Sequence, residues 1–182
     1  MPNKPRVFLP GQFYHIGSRG NRKEPLFFDG EDYSKFLQLI SEIYEKYPTI
    51  GLASYCIMTN HYHLQICSSE VSLSKVMHLL NKRYAHYFNK KYDQTGHVFE
   101  KRFFSKPILG GAGLLKVSHY IHLNPVSAFI VPTPQQYQWS SYSAYYYSYP
   151  SYPFLNKEPI LAYFNNCPHT YHQWCMKLES EK

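Results

Sequence analysis

The sequence predicts an α+β fold in which helices cover one antiparallel sheet. Two long segments have apolar residues at the three- and four-residue spacing of amphipathic helices, and four shorter segments have the composition and alternation of strands. The chain has 182 residues, of which 44% are hydrophobic and 17% are charged. This composition supports one hydrophobic core and excludes an intrinsically disordered protein.

Composition also limits where we expect the protein to act. No apolar run approaches the ~18 residues of a membrane span, and the N-terminus lacks the pattern of a secretory signal. The four cysteines have neither the spacing of a zinc site nor that of a disulfide framework. We therefore expect a cytoplasmic protein without a membrane partner.

Capping and terminating residues set the bounds of three predicted helices. The first begins after Asp29, which can cap it, and ends before Pro48. The second begins near Ser72 and carries basic residues on its polar face. A glycine-rich segment then leads into a third helix, which we expect to run from Leu114 to about Leu123 because Pro125 should end it.

Four strands are predicted at Gln12–Ser18, 50–58, 61–67 and Phe103–Leu109, with a tight turn between the second and the third. The first six elements then have the order β-α-β-β-α-β, which is the order of ferredoxin-like and RRM-like antiparallel sheets. Helices cover one face of such a sheet, and the other face is left for a ligand or for the additional third helix.

The predicted main domain spans residues 1–130, and residues 131–182 form an extension that is rich in tyrosine and proline. Tyrosines of this kind could stack on unpaired bases, but we expect them to pack against the main domain. They are Tyr137, Tyr142, Tyr145, Tyr146, Tyr147, Tyr149 and Tyr152.

Positive charge is concentrated in two segments of a chain whose formal net charge is +7. Residues 1–23 contain five basic side chains, Lys4 among them, and no acidic one, and residues 75–106 are also strongly basic. An acidic segment, 24–74, separates them. This separation favours a positive face for a polyanion such as nucleic acid, although an ordinary solvated surface is an equal alternative.

The segment with the most chemical information is His61-Tyr62-His63, in the third predicted strand. Because side chains alternate along a strand, the two histidines share one face with Gln65, and the apolar residues share the other. We expect the apolar set to face the helices, which leaves two imidazoles side by side on the open face. Such a pair can hold a divalent metal ion, although histidines two residues apart also occur without one.

A second motif lies in the third predicted helix, where Tyr120 and Asn124 are four residues apart and would share a helix face. Pro125 should bias Asn124 away from helical geometry, so we expect the two side chains to stack imperfectly. Taken alone, Tyr120 is one of 19 tyrosines and could be an ordinary packing residue.

Together the two motifs resemble the HUH single-tyrosine (Y1) transposases of the IS200/IS605 type, and within them the REP-associated tyrosine transposase (RAYT) branch. Other matching segments follow in the same order along residues 11–145, among them 19–22, 81–84 and 96–99. The sequence also departs from the family pattern, since Thr59 stands where the family usually has proline. Asn124 follows the REP-associated branch, whereas the insertion-sequence members carry glutamine there.

The resemblance implies a metal-dependent single-stranded DNA endonuclease and strand transferase that acts beside palindromic hairpins. In such an enzyme, His61, His63 and Asn124 would hold a divalent ion, and Tyr120 would form a 5′-phosphotyrosine link. Two histidines alone would also suit Zn²⁺, but an amide oxygen and phosphate ligands suit Mg²⁺ or Mn²⁺, as the family implies. Basic side chains are expected to hold the DNA phosphates: Arg19, Arg22, Lys82, Arg83, Arg102 and Lys106. The sequence is consistent with either a homodimer or a monomer.

Two other functions also stay open at the level of the sequence. A ferredoxin-like sheet could bind nucleic acid without catalysis, as RRM domains do, although the aromatic RNP motif of that class is absent. A metal-dependent hydrolase would use water in place of Tyr120. Gln65 and His15 border the expected site, and a structural role is as consistent with each as a functional one.

Overall fold

The computed structural model describes residues 6–147 and 151–180, so Lys4 and Tyr149 lie outside the described residues. In this part of the chain, no helix combines the length and the apolar character needed to cross a membrane. The strands and helices, in chain order, are β1 (Tyr14–Arg19), α1 (Gly30–Lys46), β2 (Ile50–Met58), β3 (His61–Ser68), α2 (Leu73–Lys91), β4 (Phe104–Pro107), α3 (Gly110–Ser127), α4 (Tyr142–Tyr146), α5 (Glu158–Leu161) and α6 (Pro168–Ser180).

The four strands form one antiparallel sheet in the order β2-β3-β1-β4, which confirms the predicted ferredoxin-like topology. β1 and β3 are the two central strands. Their register places Gly17 opposite His63 and Arg19 opposite His61. The sheet therefore brings residues from the start of the chain next to the histidine pair.

Helices α1 and α2 pack on one face of the sheet, as the helical spacing predicts. Asp29 caps α1 by accepting hydrogen bonds from two backbone N–H groups of its first turn, and Ser72 caps α2. Tyr62 points into this layer from β3, where its ring contacts Phe36 and its hydroxyl donates to Asn81 Oδ1 at 2.6 Å. This hydrogen bond satisfies the phenol of Tyr62, which is fully buried.

The second face of the sheet is covered by α3 and by helices of the C-terminal segment. Helix α3 packs on β2 and β3, and buried side chains from α4, α5 and α6 join its apolar residues in one cluster. Tyr142, Tyr145 and Tyr171 are fully buried in this cluster. These tyrosines are therefore packing residues of the cluster that lies across the sheet from α1 and α2.

The bounds predicted for the third helix are wrong at both ends. Helix α3 begins at Gly110, within the glycine-rich segment, and continues through Pro125 to Ser127. A proline inside a helix removes a backbone hydrogen bond and costs about 3 kcal/mol. Pro125 is buried here, and the packing of α3 against the sheet and the C-terminal helices outweighs this local preference. Asn124 consequently stays helical, one turn beyond Tyr120, and the predicted distortion does not occur.

Gly17 in β1 is a position where a side chain does not fit. A Cβ atom there would lie 2.5 Å from the ring of Phe104 and 2.7 Å from the backbone oxygen of Tyr62. We expect Gly17→Ala to lower the free energy of unfolding by roughly 1–3 kcal/mol, as overpacking does. Gly51→Ala in β2 is the matched control, because its nearest neighbour would be Cys67 Sγ at 3.5 Å, an ordinary contact. Urea denaturation measures both variants, and equal losses of stability would contradict the steric explanation.

Candidate active site

A cavity of about 650 Å³ opens between the sheet and α3. Its walls come from β1, β3, β4, the segment before β4 and the middle of α3. The side chains that define its chemistry are His15, Arg19, His61, His63, Lys101, Arg102, Lys106, Lys116 and Tyr120. Glu100 is the one carboxylate among the described lining residues. The excess of cations makes the cavity suitable for a phosphate group.

His61 and His63 lie side by side in this cavity, on the face of the sheet opposite Tyr62. Their ring centroids are 5.0 Å apart, and the ring planes are nearly perpendicular. His63 is buried, whereas His61 is partly exposed. The alternation of side chains along β3 thus produces the pair of imidazoles that the sequence predicts.

Asn60 determines which nitrogen of His61 carries the hydrogen. Asn60 Nδ2 donates to the backbone oxygen of Lys23 at 3.0 Å, which turns the amide oxygen toward His61. Asn60 Oδ1 lies 2.7 Å from His61 Nδ1, and since an amide oxygen can only accept, the Nδ1–H group must donate. The lone pair of His61 is therefore on Nε2, where a metal ion could bind it.

The histidines of the cavity are neutral near pH 7. Burial, together with the charge of Arg19, lowers the pKa of His61, and this effect exceeds the opposing one of a hydrogen bond with Asn124. Burial lowers the pKa of His63 to about 2, with smaller contributions from His15, His61 and Arg19. Burial, followed by the charge of a nearby lysine, lowers the pKa of His15 to about 4. Neutral imidazole is the form that binds metal ions, so the histidines are ready to act as ligands.

Tyr120 lies beside the histidines. Its ring centroid is 5.3 Å from that of His63 and 5.6 Å from that of His15. The side chain is 49% exposed, so a substrate that enters the cavity can reach it. Asn124 follows one helical turn later, and its side chain lies near enough to His61 to raise the pKa of that imidazole. Helix α3 therefore presents both residues of the second motif to the histidine pair.

Gln65 attaches the first half of α3 to the sheet. It is fully buried, donates from Nε2 to the backbone oxygen of Leu114 at 2.9 Å, and accepts from the hydroxyl of Ser54 at 2.7 Å. Both ends of its amide are thus used within the fold. Of the two roles that the sequence leaves open for Gln65, the structure supports the structural one.

His122 attaches the second half of α3 to the C-terminal segment and to the sheet. Its Nδ1 lies 2.7 Å from the hydroxyl of Tyr171, and its Nε2 lies 2.7 Å from the hydroxyl of Ser141. The Tyr171 hydroxyl is also 2.6 Å from that of Ser118. Ser141 Oγ accepts from the backbone N–H of Tyr55 in β2 at 2.9 Å. This buried network links α6, α3 and β2.

Three of the six basic residues predicted to hold DNA line the cavity, and three do not. Those that line it are Arg19, Arg102 and Lys106. Lys82 and Arg83 lie on α2, in the layer on the other side of the sheet, where Arg83 forms an ion pair with Glu42 at 3.1 Å. Arg22 is exposed in a short 3₁₀ turn that follows β1.

Sequence reasoning misses Lys116 and leaves His15 undecided. Lys116 lines the cavity one turn before Tyr120 on α3, and this four-residue spacing is the signal that could have identified it. The Nε2 atom of His15 lies 3.0 Å from Nδ1 of His63, a contact that depends on the register of β1 against β3.

Comparisons with known proteins place these features in context. Residues 11–124 match the family model described as "Transposase IS200 like". The solved structure of a REP-associated tyrosine transposase bound to a REP hairpin has a TM-score of 0.68 and 17% identity, and the match covers 82% of this chain and 89% of that chain. A candidate transposase from Deinococcus radiodurans R1 has a TM-score of 0.46 and 13% identity, over 66% of this chain and 95% of that chain. No curated protein matches the sequence. At this identity, the first structural match supports the fold alone.

Tyr171→Phe tests the network that holds α3. The substitution keeps the buried ring but removes the hydroxyl, so His122 and Ser118 each lose a hydrogen-bond partner. We expect the free energy of unfolding, measured by urea denaturation, to fall by about 1–3 kcal/mol. Tyr152→Phe, at an exposed tyrosine, is the control and should change it by less than about 0.5 kcal/mol. Unchanged stability in Tyr171→Phe would show that the network does not hold the helix.

Proposed function

Because the chain belongs to the IS200-like transposase family, we propose that it is a single-stranded DNA endonuclease and strand transferase with Tyr120 as its nucleophile. The observation that carries this proposal is the position of Tyr120 beside the His61–His63 pair in a cationic cavity. A non-catalytic binding module has no need of an accessible tyrosine next to two neutral histidines. A hydrolase that activates water has no need of it either.

The donor set of the cavity fits a divalent metal ion. Across residues 6–147 and 151–180, no three His, Cys, Asp or Glu side chains are grouped in a way that could hold one, so a site here must combine the histidines with another donor. Asn124, whose side chain contacts His61, has an amide oxygen to offer. His61, His63 and Asn124 would together hold Mg²⁺ or Mn²⁺. When bound, the ion would offset negative charge on the scissile phosphate.

The reaction available to Tyr120 is an in-line displacement at phosphorus. The phenol loses its proton, its oxygen bonds to phosphorus, and the bond from phosphorus to the 3′-oxygen breaks. The departing 3′-oxygen takes up a proton and becomes a free hydroxyl, while the phosphate remains joined to Tyr120 and to the 5′-oxygen of the DNA. Since one phosphate ester replaces another, a 3′-hydroxyl can later attack the phosphotyrosine and rejoin a strand without a nucleotide cofactor.

The proposed substrate is single-stranded DNA beside a palindromic hairpin. The solved REP-associated transposase is bound to a REP hairpin, and a related element would suit this chain. Cations around Tyr120 would hold the phosphates of the unpaired strand: Arg19, Arg102, Lys106 and Lys116. The exposure of Tyr120 allows a strand that crosses the cavity to approach it.

One chain supplies every group of the proposed site. Tyr120 lies against His63 of its own chain. We therefore propose that a monomer can cleave DNA. Each Tyr120 holds one DNA end at a time, so holding two ends together would require a second copy.

Tyr120→Phe tests the nucleophile. The protein incubated with hairpin-bearing single-stranded DNA and Mn²⁺ should form a covalent adduct that survives a denaturing gel, and Tyr120→Phe should form none. Tyr163→Phe, at another exposed tyrosine, is the matched control and should keep the adduct. Cleavage that persists in Tyr120→Phe would indicate a hydrolase. Binding without cleavage by the unsubstituted protein would indicate a non-catalytic module.

Two pairs of charge-removing substitutions test the path of the DNA. We expect Arg102→Gln with Lys106→Gln to weaken single-stranded DNA binding by about tenfold or more and to reduce its dependence on salt, because two phosphate contacts are lost. Lys82→Gln with Arg83→Gln removes the same charge from α2 and should have a smaller effect. Fluorescence anisotropy at several salt concentrations measures both pairs. Equal losses of DNA affinity in the two double variants would show that the DNA path also includes α2 and is not centred on the cavity.

A further inference from the structure

His15 lies between the two groups on which the proposed chemistry depends. Its Nε2 atom is 3.0 Å from Nδ1 of His63, and its ring meets that of Tyr120 with 5.6 Å between centroids. The ring of Phe104 packs against it at a right angle, 5.0 Å away. Because β1 is paired with β3 on one side and β4 on the other, the backbone of His15 is fixed at this position.

The contact between His15 and His63 can have two polarities, with opposite consequences for a metal ion. A neutral imidazole carries one hydrogen, either on Nδ1 or on Nε2. If His63 donates from Nδ1, its lone pair is on Nε2 and that nitrogen can bind a metal. If His15 donates instead, the hydrogen of His63 is on Nε2, and its only lone pair is already used in the hydrogen bond.

The arrangement at His61 favours the first polarity, in which His63 donates from Nδ1. Asn60 holds the hydrogen of His61 on Nδ1 and leaves Nε2 as the binding atom. For His63 to bind the same ion through the equivalent atom, His15 must act toward His63 as Asn60 acts toward His61. Within the described part of the chain, His15 does not complete a three-histidine metal site with this pair. Its role is therefore separate from that of a ligand.

We propose that His15 is a positioning residue that accepts a hydrogen bond from His63 and so directs His63 Nε2 toward the divalent ion. This inference rests on the proposed function, since it presupposes a metal ion at the histidine pair. Hydrogen bonds of this kind fix both the ring orientation and the tautomer of a metal-binding histidine.

The test is Mn²⁺ binding to the intact protein, measured by isothermal titration calorimetry without DNA. His15→Phe keeps a ring on β1 but removes the acceptor, whereas His15→Gln places an amide oxygen near the position of Nε2. We expect His15→Phe to raise the dissociation constant of Mn²⁺ by about 10- to 100-fold and His15→Gln to stay within about threefold of the unsubstituted protein. Thermal unfolding without metal should show that both variants are folded.

The cleavage assay provides a second readout. Since the substitution acts through metal binding, His15→Phe should need a higher Mn²⁺ concentration for half-maximal cleavage, and its rate at saturating Mn²⁺ should approach that of the unsubstituted protein. A rate that stays low at saturating Mn²⁺ would overturn the inference, because His15 would then act on a later step.

His63→Ala distinguishes failure of this inference from failure of the proposed function. If the unsubstituted protein and His63→Ala bind Mn²⁺ equally, the ion is not at the histidine pair, and the proposed function fails as well. If His63→Ala loses binding while His15→Phe keeps it, only the positioning role of His15 is overturned. Equal losses in His15→Phe and His15→Gln would overturn it too, because the acceptor would then not be the feature that matters.

Discussion

The geometry of the cavity depends on one constraint, the attachment of α3 to the second face of the sheet. Tyr120 reaches His63 because Gln65 holds the start of the helix through the backbone oxygen of Leu114, and His122 holds its end. A buried polar group without a partner costs about 1–3 kcal/mol. A helix position that broke these contacts would therefore be strongly disfavoured.

Apolar packing alone would not fix this position so well. The buried face of α3 includes Ser118 and His122 among its apolar residues, so it is not a continuous apolar stripe. The hydrogen bonds of Gln65 and His122 define the position of the helix, because each joins one specific atom of the helix to one specific partner. We interpret these buried polar groups as the feature that selects the register of α3, and with it the place of Tyr120.

Much of this arrangement could be predicted from local pattern, and the rest depends on contacts between distant segments. Alternation along β3 correctly separates His61 and His63 from Tyr62, and α1 and α2 form where the spacing of apolar residues predicts helices. The end predicted at Pro125 is wrong because tertiary packing, which no local rule includes, keeps α3 helical.

The location of the positive charge also could not be predicted from the sequence pattern alone. A run of basic residues indicates that a segment is exposed but does not indicate which side of the sheet its helix covers. Lys82 is therefore grouped by sequence with Arg102, although the sheet lies between their two layers. His15 is 48 residues from His63, and only the register of β1 against β3 brings them together.

Among the tyrosines that the structure describes, the fold gives Tyr120 the surroundings that the proposed attack on a phosphate requires. Burial raises the pKa of Tyr62, Tyr145 and Tyr171 well above the ordinary value, and their hydroxyls are used in hydrogen bonds within the fold. Such phenols are inaccessible and resist ionisation. The exposed Tyr163 is accessible, but it does not line the cavity of the histidine pair. Tyr120 meets both conditions, access to substrate and contact with neutral histidines in a cationic cavity, and it does so because α3 is held where it is.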